Sequence, residues 1–201
     1  YRDRDEDYQK YMPTLKEEND GYVQPYIYNP VNDKLVARDV YVNILNDATD
    51  YVYITTPYLI MDVELTNALL SAARRGVDVE IITPHVPDKW YVHAVTRSFY
   101  LQLINAGVKI YEYTPGFIHA KNVICDDKIA TVGTVNFDYR SLYHNYECGV
   151  WMYRTKAIES MKNDFENTRE ISMKITEEMM AKIPIIKKVV AEILKFFSPL
   201  L

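Results

Sequence analysis

The chain has 201 residues, enough for one substantial domain with a buried core and a short appendage. Its 48% apolar and 25% charged residues are ordinary for a soluble globular protein, and a formal net charge of −5 excludes an overall basic field able to hold nucleic acid. No run of 18 apolar residues could span a membrane, no signal peptide is visible, and the start at Tyr1 rather than Met suggests an excised or processed fragment.

Residues 1–20 are charged without a clear period and read as a solvated arm or linker. "YVQPYIYNP" (22–30) reads as a short edge strand interrupted by Pro25. Val36, Val40, Ile44 and Leu45 have helical spacing over 36–48. "DYVYITTPYLI" (50–60) is a buried strand ended by Pro57, and Asp62 can cap a helix running through Ala73 and closed by Gly76. Residues 77–84 form a strand, 88–107 a helix stopped by Gly107, and 108–115 a third strand. This repeat predicts an α/β fold, a mixed and mostly parallel sheet sandwiched between helices. Residues 117–137 leave no room for a helix and predict an antiparallel hairpin within the sheet. A strand over 146–153, a helix over 155–181 and a last helix from about Pro184 to Phe197 complete the chain. Cys125 and Cys148 lie in strand-like apolar runs and are expected as reduced core thiols. The domain is thus placed at 21–181, with 182–201 as a basic amphipathic tail.

The hairpin concentrates polar groups in an apolar setting. With Asp126-Asp127 as a two-residue loop, Cys125 pairs with Lys128, His119 lands opposite Thr134, Lys121 opposite Val132 and Asn136 opposite Phe117. Alternation then points His119, Lys121, Thr134 and Asn136 to one face, with Gly133 leaving space beside His119. An imidazole, a fixed cation, a hydroxyl and an amide form a kit for a tetrahedral oxyanion: the donors hold phosphate oxygens while a ring nitrogen reaches phosphorus. Glu147 on the next strand could fix the imidazole tautomer. Asp126 at the turn is expected to bond local backbone rather than substrate. One histidine on a strand is ordinarily a satisfied core residue; five polar groups converging through independent spacings are not.

"HAKNVICD", followed by "GTVNFDYRS" and "NYE", resembles the H-x-K-x4-D-x6-G-[ST]-x-N signature of the phospholipase D superfamily, with the later glutamate included. "ARRGVDVEIITP", "LINAGVKIYEYTPGFIHAK" and the terminal "FFSPLL" resemble the C-terminal half of bacterial cardiolipin synthases, so that the likeness covers about residues 21–201. The resemblance implies a phospholipase D-like fold and transfer of a phosphatidyl group between two phosphatidylglycerols through a phosphohistidine, giving cardiolipin and glycerol, with no metal or other cofactor. It implies a catalytic set of His119, Lys121, Asp126, Asn136 and Glu147: His119 as the acid/base partner of a second histidine, Lys121, Asn136 and Thr134 toward the phosphate, Glu147 orienting a histidine.

The chain departs from the family in holding one H-x-K; His85, His93 and His144 lack the pattern. A complete site then needs an upstream half-domain or a second copy. The expected partners are that complement, the anionic phospholipid and the membrane surface, with a peripheral position at the bacterial cytoplasmic membrane and no nucleic acid. In the tail, Ile186, Val189, Val190, Ile193 and Phe197 share a helical face, which either packs on the domain or lies in an anionic membrane. The competing readings are a homodimeric nuclease or phosphodiesterase of the same superfamily and a catalytically silent half.

Overall fold

A computed structural model describes residues 7–12, 14, 20–31 and 34–200. Of the expected arm over 1–20, the described part includes a 3-10 turn, Tyr8–Tyr11, and the remainder lies outside the described residues. Strand β1 (Tyr22–Tyr28) sits at a sheet edge, where Pro25 is tolerated. Helix α1 (Val36–Asp47) buries Ala37, Tyr41, Ile44 and Leu45. Every residue of β2 (Tyr51–Thr55) is buried, and a two-residue strand, β3 (Leu59–Ile60), follows Pro57. The Asp62 carboxylate accepts the Leu65 N–H at 2.7 Å and starts α2 (Val63–Arg74). Gly76 ends that turn at φ +91°, a conformation that side chains other than glycine's resist.

β4 (Asp78–Pro84), α3 (Trp90–Asn105) and β5 (Lys109–Tyr113) continue the alternation, before the hairpin of β6 (Asn122–Cys125) and β7 (Ile129–Gly133). Then come β8 (Phe137–Asp138), a π-helical turn over Arg140–His144 and β9 (Glu147–Tyr153). The segment predicted as one helix over 155–181 divides into α4 (Ala157–Glu170), β10 (Ser172–Ile175) and α5 (Glu177–Ala181). The main-chain hydrogen bonds that β5 offers along its free edge are taken by β10. Helix α6 (Ile185–Phe196) has Pro184 at its N-cap.

The strands form a mixed sheet ordered β1-β9-β7-β6-β2-β4-β5-β10, with β3 and β8 as a separate parallel pair. β2–β4 and β4–β5 are parallel, and the other neighbours in the large sheet are antiparallel. Leu45, Leu69 and Leu103 from α1, α2 and α3 pack with Val52, Val79 and Val123 on one face. α4 covers the other with Ile158 and Phe165, the Phe165 ring stacked 4.7 Å from Tyr53.

The hairpin register differs from the expected one by a residue. Asp126 and Asp127 both take φ +53°, and the Lys128 N–H donates to the Cys125 carbonyl, as a two-residue turn requires. The Lys128 carbonyl, however, accepts from the Arg154 N–H, and the ladder resumes with Cys125 opposite Ile129. Lys128 is thus an extra residue of the bulge kind. Cys125 is buried as expected, whereas Cys148 is exposed, because it lies where the sheet face opens to water.

Candidate active site

Thr55 pairs with Asn122, so the start of β6 meets the C-terminal ends of the parallel strands. The end of β7 and the start of β9 lie at the same end, since Gly133 pairs with Gly149. In open α/β sheets this is the end that carries ligand crevices. His119 and Lys121 occupy the extended segment just before β6. Lys121 is buried, and its Nζ donates to the His119 carbonyl at 2.5 Å. Desolvation lowers the Lys121 pKa, against the carboxylates of Glu147 and Asp138, which favour its charge. His119 is exposed at the rim, its ring 5.8 Å from that of Phe117. Partial desolvation and then the Lys121 charge lower the His119 pKa, with Asp88 opposing. A lone pair on the imidazole is therefore available at neutral pH. An NMR titration of His119 should give a midpoint below the ordinary value of about 6.5, rising when Lys121→Met removes the neighbouring charge. A midpoint unmoved by that substitution contradicts the coupling.

The remaining groups gather behind the lysine. The Thr134 hydroxyl donates to the Glu147 carboxylate and accepts the Cys148 N–H at 3.0 Å. The other oxygen of Glu147 accepts from Asn145 Nδ2 at 3.3 Å. Glu147 is thereby committed to Thr134 and Asn145, and it does not make the expected bond to the far nitrogen of His119. Asn136 Nδ2 donates to Asp138 at 3.3 Å, and its buried Oδ1 has no hydrogen-bond partner. With the observed register, Lys121 faces Gly133 rather than Val132, and His119 and Thr134 both lie outside the ladder. Strand alternation therefore no longer puts the four on one face, and Lys121 is linked to Thr134 and Asn136 through the charges of Glu147 and Asp138, to which those two side chains donate. Gly133 serves backbone packing rather than ligand space: an added Cβ would stand 2.6 Å from the Gly149 Cα.

Asp126 is separated from this group. It sits five residues beyond Lys121, at the opposite end of β6, about 17 Å along an extended chain. Its carboxylate accepts the N–H groups of Thr49, Asp50 and Tyr51 and the Thr49 hydroxyl, at 2.8–2.9 Å. The expected backbone bonding is real, but its target is the turn before β2, far away in sequence. Burial pushes the Asp126 pKa up, and these donors bring it below the ordinary carboxylate value. A depressed pKa contributes stability that is present above the unfolded value of about 3.9 and lost as pH falls through the folded one. Asp126→Asn should cost about 2 kcal/mol at pH 7, and the deficit should shrink below pH 4. Denaturant melts at the two pH values check this.

Residues 41–169 match the family described as "Cardiolipin synthase, PLD-like domain". The chain belongs to this family. It is 36% identical over 183 residues to a cardiolipin synthase of Halalkalibacterium halodurans, covering 91% of this chain and 36% of that one. It is 49% identical over 181 residues to an uncharacterized protein of Streptococcus mutans, covering 90% of this chain and 39% of the other. The chain thus spans well under half the length of these relatives. Among solved structures, Nuc from Salmonella typhimurium, a phospholipase D family member, superposes with a TM-score of 0.66 at 19% identity, over 78% of this chain and 99% of its own. The phosphatidylserine synthase of Haemophilus influenzae superposes with a TM-score of 0.67 at 17% identity, over 89% of this chain and 48% of its own. These likenesses establish the phospholipase D-like fold.

Two residues of this cardiolipin synthase-type domain escape sequence reasoning. Asp138 is buried, and desolvation raises its pKa although Ser141 and Asn136 donate to it. It stands within charge reach of Lys121. Its signal was its place two residues after Asn136. Asp88 acts on His119 and accepts the Tyr58 hydroxyl at 2.5 Å; its long sequence separation from the motif gave no signal. Among the described residues, no group of three or more His, Cys, Asp or Glu is placed to hold a metal ion.

Proposed function

We propose that this domain supplies one half of a phosphatidyltransferase site that makes cardiolipin from two phosphatidylglycerols. A histidine of the complementary unit attacks phosphorus, and the P–O bond to glycerol breaks. His119 gives that alkoxide its proton and then takes one from the terminal hydroxyl of the second phosphatidylglycerol, which displaces the first histidine. Lys121, Thr134 and Asn136 face the phosphate oxygens, with Glu147 and Asp138 holding the lysine charged. The observation that carries this reading is the buried Lys121 beside the exposed imidazole of His119, at the ligand-bearing end of the sheet.

Three observations support a missing complement. The 201 residues contain one H-x-K, and the chain matches 48% of the phosphatidylserine synthase fold. On the outer part of the sheet, Val23, Ile27 and Val132 are exposed at 60%, 73% and 43%, an apolar surface that an upstream half or second copy would cover. Among the described residues no helix is long and apolar enough to cross a membrane; in this reading the lipid substrate is met at the bacterial cytoplasmic membrane surface. The test is cardiolipin formation from phosphatidylglycerol in detergent by the purified 201-residue chain, where none is expected. Turnover that His119→Ala abolishes would replace the half-site by a working homodimer. Cleavage of single-stranded DNA that depends on His119 would overturn the lipid reading.

A further inference from the structure

Helix α6 presents its apolar side outward. It meets the domain through a narrow stripe: Ala191 is buried, Leu194 packs on the core, and Lys195 Nζ lies 4.1 Å from the centre of the Phe99 ring. The opposite side carries Ile185, Ile186, Val189, Ile193 and Phe196, all exposed, with Ile185 at 80% and Phe196 at 83%. Leu200, in the 3-10 turn after the helix, extends this surface. An amphipathic helix that serves the fold turns such a stripe inward. Charge is segregated here too: residues 182–201 hold four lysines and one acid, Glu192, in a chain of 28 acids and 23 lysines and arginines.

We infer that this face of α6 seats the protein on an anionic lipid bilayer. The inference rests on the phospholipid reading above in its choice of lipid. An apolar face flanked by Lys187 and Lys188 complements a surface of phosphates over hydrocarbon, with lysine stems along the boundary and ammonium groups toward the phosphates. A protein partner fits less well. Twelve helical residues span about 18 Å, a footprint on the order of 200 Å², against about 800 Å² per partner in a stable interface. The placement also suits access to the site. Phe196 and Pro199 line a depression with Asp62, Val63 and Tyr139, and Val63 is itself exposed. His144 Nε2 donates to the Pro199 carbonyl at 3.1 Å, tying the end of α6 to the π-helical turn that follows Asp138. A bilayer against α6 therefore lies next to the end of the sheet that carries Lys121.

The test is flotation of the 201-residue chain with vesicles of phosphatidylcholine alone and with one-third phosphatidylglycerol. Binding is expected to the anionic vesicles. Ile186→Asp with Ile193→Asp should weaken it about tenfold or more. Lys187→Glu with Lys188→Glu should abolish the preference for phosphatidylglycerol. These positions are exposed, so thermal melts should match the parent chain. Flotation unchanged by the aspartates overturns the inference, as does a parent chain that floats with neither vesicle. Conversion of a dimer to a monomer by the aspartates without loss of flotation also overturns it, assigning the face to a protein partner. His119→Ala should float like the parent, which separates this outcome from failure of the transferase reading.

Discussion

His119→Ala is expected to lower phosphatidyl transfer about 10³-fold in the assembly that contains both halves of the site. A positioned acid/base group contributes about 10²–10⁴-fold, and no second H-x-K in this chain can replace it. The loss should fall on kcat, with KM for phosphatidylglycerol little changed, because proton transfer belongs to the transition state. The fold should be indifferent. His119 is exposed, and its ring makes no hydrogen bond with the described residues. A variant with normal melting and kcat within tenfold of the parent would remove His119 from the chemistry. Lys121→Met is the companion substitution, expected to act on both kcat and KM, since the ammonium would meet the phosphate before and during transfer.

The largest effect on stability is expected at Arg97. The Glu112 carboxylate on β5 is fully buried. It is held by Arg97 Nε and Nη2 at 2.7 and 2.5 Å and by His85 Nδ1 at 2.8 Å. Burial pushes its pKa up, and Arg97 and His85 bring it below the ordinary value. Arg97→Met removes the permanent cation from that buried charge and leaves it His85 as a hydrogen-bond partner, at a cost of about 3–5 kcal/mol. At 2–4 °C per kcal/mol for a chain of this size, melting should drop by about 10 °C. The sign of the pH dependence follows from the two pKa directions. In the parent the depressed pKa contributes stability above about pH 4 that is lost in acid. In the variant the pKa is raised, and that contribution is present in acid and lost as pH rises. The deficit should therefore narrow below pH 5. Adding Glu112→Leu should recover part of the loss. A melting point within 2 °C of the parent would contradict the account of this buried pair.

Local signals carried the alternating part of the fold. Asp62 and Gly76 bound α2 through contacts within a few residues, and both are readable as such. The hairpin was legible as a hairpin, but its register was not. Where the Lys128 carbonyl goes depends on Arg154, and a bulge set by a distant strand leaves no local mark. β10 was hidden because Ser172–Ile175 is short and continues the helical spacing before it, while its pairing with β5 is a tertiary fact. At the site, the residue types and the His119–Lys121 spacing were legible, and their surroundings were not. Glu147 was matched to the histidine by type, although geometry gives it to Thr134 and Asn145. Asp126 was placed with the chemistry by motif, although it braces the turn before β2. The apolar stripe of α6 was readable from spacing, and which way it faces is decided by the small contact at Ala191.

In the proposed reaction the buried cation of Lys121 would draw a phosphate oxyanion to the end of the sheet, and the exposed imidazole of His119 would handle the proton. Cocrystallisation of the 201-residue chain with orthovanadate, a tetrahedral oxyanion of phosphate shape, tests this most directly. The oxyanion should lie within bonding distance of the Lys121 ammonium and the His119 ring, with Asn136 or Thr134 as a further donor. Vanadate bound elsewhere, with Lys121 still bonded only to the His119 carbonyl, would contradict it.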